Sequence, residues 1–469
     1  MRTHPPMRRS LSMAMVGALA ALALTACSSG GGSSTTTTTP PAPADTATTA
    51  APAPTDTATT DAAAPAGAPV TLEFWDMQWG PAGSYDVKAK ELVDKFNAEN
   101  PGIKVNYTQN TWDNWYQTFA QAVASGTAPD VSTGGGFQPF GLQGDADAIL
   151  PLNPLFDKWK ADGTAADFGN MLDYYKDANG DYLAVPWGTD IRVWFYRTDL
   201  LEKAGVAVPT TYDELKTACD AVHALGADIY GIADGGTPHW TWMQGIANGA
   251  GFLDKDGNAQ VSTNPKEMAA LEYIASMGQG GSGCINPSAT TIQQNEAIEM
   301  FNQGKAAFVM DSPSIAPALS AETLKVTKVL PALANAEGQK LGLNFVNGIM
   351  AYKQTKHPEE AMKFIEYWSS IGGELIKAGA SAVSPRKSID ADPAFGNAPL
   401  YREAVATWGS PVAQPLYTQA TSGSAAMNTL DGDSSMFLDL ERTLFSGGDV
   451  KKAAEDCQAK VQRVIDDSK

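Results

Sequence analysis

Apolar and polar positions alternate in Val70-Thr71-Leu72-Glu73-Phe74-Trp75, the two-residue period of a strand. Ala89, Leu92, Val93 and Phe96 then recur at helical spacing, and that pattern stops at Asn100-Pro101-Gly102. Ile103 to Thr108 reads as a second strand. Trp115, Phe119, Ala122 and Val123 mark a second helix closed by Gly126, and Asp130-Val131-Ser132 is a short third strand. This alternation implies a parallel sheet joined by right-handed crossovers. Downstream, Tyr212 to Leu225, Pro265 to Met277 and Asn295 to Gly304 are helical, and Ile229 to Ala233 is extended. Ala306 to Met310 is a continuous apolar run, hence a buried strand, and Asn347 to Tyr352 is another strand. Pro358 to Ile371 places Ala361, Phe364, Ile365 and Trp368 on one helical face, and Val450 to Ile465 ends the chain as an amphipathic helix. About 400 residues of this pattern exceed one comfortable core, so two lobes are expected.

Asp177-Ala178-Asn179-Gly180-Asp181 and Asp254-Lys255-Asp256-Gly257-Asn258 read as hairpin turns. Neither has the glycine and the closing glutamate of a calcium loop, and Asp431-Gly432-Asp433 fails the same test.

Ahead of Val70 the periodicity is missing. Arg8 and Arg9 precede an apolar stretch from Met13 to Leu24, followed by Thr25-Ala26-Cys27, the parts of a secretory signal. Leu24-Thr25-Ala26-Cys27 resembles the bacterial lipobox, whose cysteine takes a lipid and becomes the mature N-terminus. The apolar run is shorter than the ~20 residues that span a bilayer. Residues 1–26 are therefore expected to be a lipoprotein signal peptide, and Cys27 the lipidated residue on the extracytoplasmic face of the cell membrane. The stretch 27–69 is almost all Ser, Thr, Gly, Pro and Ala, a disordered tether of roughly 35–40 Å.

Charge narrows the partners. The chain carries 33 basic and 52 acidic side chains, a net charge of −19. Loss of the leader with Arg2, Arg8 and Arg9 takes it to −22. Such a surface argues against nucleic acid and against adhesion to anionic lipid. With Cys27 committed to lipid, Cys219, Cys284 and Cys457 remain, an odd number in an oxidising compartment. A Cys219–Cys284 disulfide with Cys457 free is the expectation, and the other pairings stay open. No Cys-x-x-Cys, His-Glu-x-x-His, Gly-x-Ser-x-Gly or phosphate loop occurs, so metal, cofactor and nucleophilic chemistry are not expected.

The eleven tryptophans carry the positive signal. Trp115 and Trp368 fit helix core faces. Trp75 and Trp79 follow the first strand, Trp112 precedes the second helix, Trp187 follows Val185-Pro186, and Trp240 and Trp242 sit in a glycine-containing loop. Ligands of open α/β sheets bind beyond the carboxyl ends of strands. An aromatic face beside polar groups suits a sugar, whose C–H faces pack on rings while its hydroxyls take hydrogen bonds. Asp190 and Arg192 stand two apart on one strand face with an aromatic on each side. The carboxylate can accept from two vicinal hydroxyls and the guanidinium can donate in a fixed fork. The plainer reading is a surface ion pair.

The stretch from Pro186 to Gly205 resembles the corresponding segment of the extracellular solute-binding proteins of ABC-type sugar importers, the maltose-binding-like cluster. Its Pro186-Trp187-x-x-Asp190-x-Arg192 form is similar to that of members that bind glucosides. Supporting pieces are Phe96-Asn97-Ala98-Glu99-Asn100-Pro101-Gly102, Ala128-Pro129-Asp130-Val131, Gly304-Lys305-Ala306-Ala307-Phe308, Pro358-Glu359-Glu360-Ala361 and Ser384-Pro385-Arg386. The chain departs at Arg197, where asparagine is usual. The resemblance implies an α/β, two-lobed periplasmic-binding-protein type II fold. Residues 70–190 plus 347–380 would form the N-terminal lobe, and 191–346 plus 381–469 the C-terminal lobe. Hinge strands would cross between them near Trp187–Tyr196, Val346–Tyr352 and Ser381–Ser388.

Carried over by position, the ligand site would use Trp75, Asp76, Gln78 and Trp79 after the first strand. Trp112, Gly135 and Phe137 would line the same lobe, and Trp187, Asp190 and Arg192 the hinge. Trp240, Trp242, Gln244, Asp311 and Ser312 would come from the second lobe. Asn347 and Gly348 would lie on the second crossing and Arg386 on the third, with Trp408 nearby. The resemblance implies a monomeric receptor that captures an oligosaccharide and hands it to permease subunits, with no cofactor. A lipid-anchored glycoside hydrolase is the alternative, since the abundant Asp and Glu could supply two carboxylates. A peptide or metal receptor is a further rival, disfavoured by the tryptophans and by the scarcity of His and Cys.

Overall fold

β1 (Val70–Met77) buries Leu72 and Phe74 and exposes Thr71 and Glu73, as its alternation requires. In the computed structural model, residues 69–80, 82–112, 114–393, 400–409, 411–416 and 425–468 are described; the leader, Cys27 and the tether up to residue 68 lie outside them. β2 (Ile103–Asn110) and β3 (Val131–Gly134) run parallel to β1, joined through α1 (Tyr85–Glu99) and α2 (Trp115–Ser125). β4 (Val185–Ile191), β9 (Gly342–Ala351) and β10 (Ala413–Pro415) complete this first sheet, in the order β10-β9-β3-β1-β2 with β4 also on β9. The second sheet has the order β6-β7-β5-β8, from β5 (Val193–Arg197), β6 (Tyr230–Ala233), β7 (Ala306–Asp311) and β8 (Thr327–Val329).

Around the first sheet lie α3 (Gln138–Ala146), α4 (Asn153–Asp162), α11 (Pro358–Ser370) and α12 (Gly372–Lys377). Around the second lie α5 (Thr198–Ala204), α6 (Tyr212–His223), α7 (His239–Ala247), α8 (Pro265–Ala275), α9 (Gln294–Asn302) and α10 (Ala321–Val326). The chain ends with α13 (Lys387–Asp390), α14 (Tyr401–Trp408), α15 (Ala425–Gly432), α16 (Ser435–Ser446) and α17 (Val450–Asp467). No helix among the described residues is long and apolar enough to cross a membrane.

The first core is a ring cluster. Phe74 meets Phe364 at 4.9 Å and Trp368 at 4.7 Å, and Phe96 meets Phe364 at 5.1 Å. The apolar stripes of α1 and α11 thus close on β1, and burying each such ring contributes roughly 1.5–3 kcal/mol. In the second lobe Cys219 of α6 is bonded to Cys284, and Cys457 is free and buried. Gly231 on β6 lies under the bond, where an added methyl would stand 2.2 Å from Cys219 Sγ. The two Asp-rich segments are tight turns closed by the bridges Lys176–Tyr182 and Leu253–Ala259. Asp177 Oδ1 and Asp254 Oδ1 each accept two backbone N–H groups within their turn.

The crossings decide where a ligand can sit. β4 ends in the first sheet at Ile191 and β5 begins in the second at Val193, so the chain changes sheet at Arg192. The second crossing lies between Val329 and Gly342, earlier than the expected Val346–Tyr352, because β9 belongs to the first sheet from Gly342 onward. Glycine and asparagine at 342, 344 and 347 weaken the local strand pattern, and pairing with β4 on one edge overrides it. At Ser381–Ser388, the expected third crossing, the chain stays with the first sheet: Thr189 and Val383 exchange both backbone hydrogen bonds, at 2.8 and 2.7 Å. Arg386 bonds Asp167 and Lys377 bonds Asp392, so the chain reaches the second sheet only at α14, which packs on β8. The C-terminal stretch, expected in the second lobe, is divided. β10 pairs with β9 and α15 packs on α2 and α3, whereas α16 and α17 pack on α8.

Candidate functional site

β1 runs out at Met77, and the chain turns so that Trp79 lies over its end. Trp115, Trp112, Trp79 and Trp187 form a continuous edge-to-face series with centroid spacings of 5.7, 4.8 and 5.0 Å. Trp112 is 40% exposed, while Trp79 and Trp187 are buried. Hydrogen bonds fix the rings: Trp79 Nε1 donates to Thr133 Oγ1 at 3.0 Å, and Trp112 Nε1 donates to the Gln78 carbonyl at 2.8 Å.

Asp76 sits beneath this wall. Its carboxyl accepts from Thr133 Oγ1 at 2.6 Å, Tyr85 at 2.8 Å and Tyr107 at 3.2 Å, and it has no exposed surface. Burial pushes its pKa up to about 7, against those hydrogen bonds. The structure therefore makes Asp76 the support of Thr133, and through it of Trp79, and leaves it no face for a ligand.

The junction of the two sheets carries the charge. Asp190 Oδ2 accepts from Arg192 at 2.5 Å, and the guanidinium lies 5.7 Å from the centre of the Phe345 ring. Phe345 stands opposite Asp190 in the β4–β9 register. His239 and Trp242, one helical turn apart on α7, meet Phe345 at 5.3 and 6.1 Å. Asp311, opposite Val193 at the end of β7, takes the Ser312 N–H at 2.7 Å and the Gln294 amide at 3.0 Å. Burial raises Asp190 to about 6; Arg192 opposes the shift and Asp311 adds to it. Burial, and then the Arg192 charge, holds His239 well below the usual imidazole range, so it is neutral.

Five buried polar atoms here find no partner among the described residues: Asp190 Oδ1, Arg192 Nε, Trp187 Nε1, Trp242 Nε1 and Asn344 Oδ1. Asn344 stands opposite Ile191, next to the crossing. An unmet buried polar group costs about 1–3 kcal/mol, so a concentration of them calls for an occupant. Three are donors and two are acceptors, lined by rings. A ligand that both donates and accepts many hydrogen bonds and has an apolar face meets that demand.

The structure thus brings Trp79, Trp112, Trp187, Asp190, Arg192, Trp242 and Asp311 along β4 and its crossing. Asn347 and Gly348 lie on β9 opposite β4, and Gln78 gives its carbonyl to Trp112; the other candidates lie as follows. Trp75 packs on Phe119 of α2 at 5.5 Å. Trp240 faces away from Phe345, meeting Trp194 at 5.5 Å and Phe445 at 5.9 Å in the second core. Gln244, four residues on from Trp240, is buried, and its Oε1 too has no partner among the described residues. Arg386 is bonded to Asp167 at 2.8 Å and lies over Phe168. Trp408 donates to the Leu330 carbonyl at 2.7 Å and packs on Gly342, pinning the second crossing. A methyl on Gly348 would come within 2.9 Å of Ala184, and one on Gly135 within 2.8 Å of Trp115, so both glycines serve close packing. Phe137, Ser312 and Asn347 are buried, Ser312 accepting from the Ser314 N–H and Asn347 paired opposite Gly188.

Four residues escaped sequence reasoning: His239, Asn344, Phe345 and Asp431. Starting the strand at Asn347 rather than Gly342 dropped Asn344 and Phe345. Reading Trp240 and Trp242 as a loop hid His239, which opens a helix and lies on the same face as Trp242. Asp431 was tested only as a calcium ligand. It lies beside Gly135 and Trp115, its pKa pushed up to about 7 by burial.

A model of the bacterial extracellular solute-binding proteins matches residues 82–374. A crystal structure of a sugar transporter from Arthrobacter chlorophenolicus A6 with bound laminaribiose is similar at a TM-score of 0.75 and 30% identity, covering 84% of this chain and 99% of that one. A putative binding protein of Brucella abortus is 26% identical over 290 residues, 59% of this chain and 67% of its own. A probable ABC transporter-binding protein of Deinococcus radiodurans is 28% identical over 233 residues, 44% of this chain and 51% of its own.

Proposed function

The chain belongs to the bacterial extracellular solute-binding protein family, and on that premise we propose that it is the sugar-capturing subunit of an ABC importer, holding an oligosaccharide between its lobes and passing it on intact. The observation that carries the sugar reading is the set of unpartnered donors and acceptors at Trp187, Asp190, Arg192, Trp242 and Asn344, set between tryptophan faces. The Arthrobacter structure holding laminaribiose supports the same class of ligand and makes a glucose disaccharide the first to test.

Trp112, Trp79 and Trp187 offer the sugar a ring surface from the first lobe. Trp242 and Asp311 approach from the second, and Asp190 and Arg192 reach it from the crossing. Ligand favours the shut form only through contacts made with both lobes at once; equal affinity for both forms would shift nothing. The shut form docks on permease subunits, a partner class supported by the transporter-binding relative. Leader, lipid on Cys27 and tether would keep the receptor at the extracytoplasmic face of the membrane. The lobes of this proposal follow the strands, with Arg192 as the boundary of the first crossing.

Isothermal titration of the purified protein with laminaribiose, maltose and xylobiose, with chromatography of the mixture afterwards, tests the reading. Saturable binding of one of them with the sugar recovered whole supports a receptor. Released monosaccharide supports the hydrolase instead, and no binding across the three defeats the sugar assignment.

A further inference from the structure

The tryptophan wall has two ends. Trp187 closes one, ahead of Asp190 on β4, and Trp115 closes the other. At the Trp115 end stands a carboxyl that neither sheet supplies. Asp431 lies on α15, and its Oδ2 would be 3.3 Å from a methyl on Gly135, to which the Trp115 ring would come within 2.8 Å. Acid and ring therefore meet over the turn that follows β3. That turn is fixed in place: a methyl on Gly136 would meet the Val346 carbonyl at 2.7 Å, and the same carbonyl accepts from the Tyr175 hydroxyl at 2.6 Å. The residue after Asp431 is held as closely, since a methyl on Gly432 would come within 2.5 Å of Tyr116 Cβ at the start of α2.

Asp431 is half-buried, and no hydrogen bond reaches its carboxyl from the described residues. Burial pushes it up to about 7, and nothing opposes the shift. Asp76, under the same wall, is the opposite case, its oxygens taken by Thr133, Tyr85 and Tyr107. Asp431 keeps its acceptor sites open beside a ring, at a cost in desolvation that the fold does not recover. Its helix also leans two ways, packing on α2 and α3 of the first lobe and on α17, which belongs with the second.

We propose that Asp431 is a further ligand-binding residue, whose carboxylate accepts hydroxyls from a sugar unit at the Trp115 end of the wall, so that the site holds an oligosaccharide longer than a disaccharide. The inference rests on the sugar reading above and sets the length of the ligand. Three ring-to-ring steps of 5.7, 4.8 and 5.0 Å, each comparable to one hexose unit, separate Trp115 from Trp187. A disaccharide gripped by Asp190 and Arg192 leaves the Trp115 end empty, and a longer chain reaches it. There one carboxylate takes two neighbouring hydroxyls while the adjoining rings take the C–H face. Because α15 leans on both lobes, this contact adds to those that favour the shut form.

Calorimetric titration at about pH 8, where the carboxyl is charged, compares laminaribiose with laminaritetraose. The wild type is expected to bind the tetraose about tenfold more tightly. Asp431→Ala is expected to lose that gain while melting no lower than the wild type, because the carboxyl it removes has no partner in the fold. Asp431→Asn, which keeps the shape without the charge, is expected to weaken tetraose binding about fivefold, and decides the matter if Asp431→Ala does not fold. Should maltose or xylobiose be the disaccharide bound, maltotetraose or xylotetraose takes the place of laminaritetraose. Equal affinity for disaccharide and tetraose in the wild type, or the full gain kept in the variants, overturns the inference and leaves the sugar reading standing. A gain lost together with a clear fall in melting temperature marks a packing role and overturns it as well. Failure of every one of these sugars to bind defeats the sugar assignment, and this inference with it.

Discussion

Asp190 and Arg192 form an ion pair of 2.5 Å at the point where the chain leaves one sheet for the other. Each keeps one polar atom unused, Oδ1 on the acid and Nε on the base. The pair is a strut in the crossing and, in the proposed sugar-binding role, half of the clamp. Arg192→Ala should strip laminaribiose affinity by about 100-fold or more and also destabilise the fold by about 3–5 kcal/mol, because Asp190 is left buried and alone. Arg192→Lys should keep the stability and still lose most of the affinity, since an ammonium cannot reproduce the fork. Calorimetric titration beside thermal melting separates the two effects; equal affinity in wild type and Arg192→Lys would remove Arg192 from the site.

Trp112 and Trp240 make a contrasting pair. Trp112 is the exposed ring of the wall, and Trp240 is enclosed by Trp194 and Phe445. Trp112→Ala should weaken sugar binding about tenfold with little change in melting temperature. Trp240→Ala should cost about 3–5 kcal/mol of stability. The reverse pattern would mean that the ligand lies on the other side of α7.

The Cys219–Cys284 bond closes a separation of 65 residues. Loop-closure entropy assigns it about 4 kcal/mol. Reduction, or the Cys219→Ser/Cys284→Ser pair, should lower the melting temperature by on the order of 5 °C. Cys457, with its thiol pushed up to about 12 by burial, should remain unreactive to alkylating agents in the folded protein.

Stability should fall as pH rises from about 5 to about 8. Burial raises Asp190 to about 6, Asp76, Asp234 and Asp431 to about 7, and Glu267 to about 8. A raised carboxyl holds its proton in the fold and loses it in the unfolded chain, so the folded state binds more protons across this window. Its stabilisation is complete below the unfolded value near 4 and is lost as pH climbs through the folded one. Melting curves across the window give the slope, and a rising melting temperature would contradict it. Asp76→Asn should reduce the slope, because Asp76 is one of its sources.

Much of this was legible in the chain. The α/β alternation follows from periodicity, and two lobes follow from the length over which that pattern runs. What was not legible depends on long-range pairing. Asp76 and Arg386 were expected in the site because the resemblance carries them there by position, and position does not show Tyr85, Tyr107 or Asp167 arriving to engage them. Phe345 was lost because Gly342, Asn344 and Asn347 make a poor strand by propensity, and β4 supplies the pairing that propensity lacks. Trp240 and Trp242 looked alike in a row of letters, yet opposite helix faces send one to the core and the other to the junction.

The residue at which the backbone passes between sheets is also one the cargo is expected to grip. Filling the gap and setting the angle between the halves are then one event, registered at Arg192. A membrane partner that touches only the outer contour could sense from that contour alone whether anything lies inside.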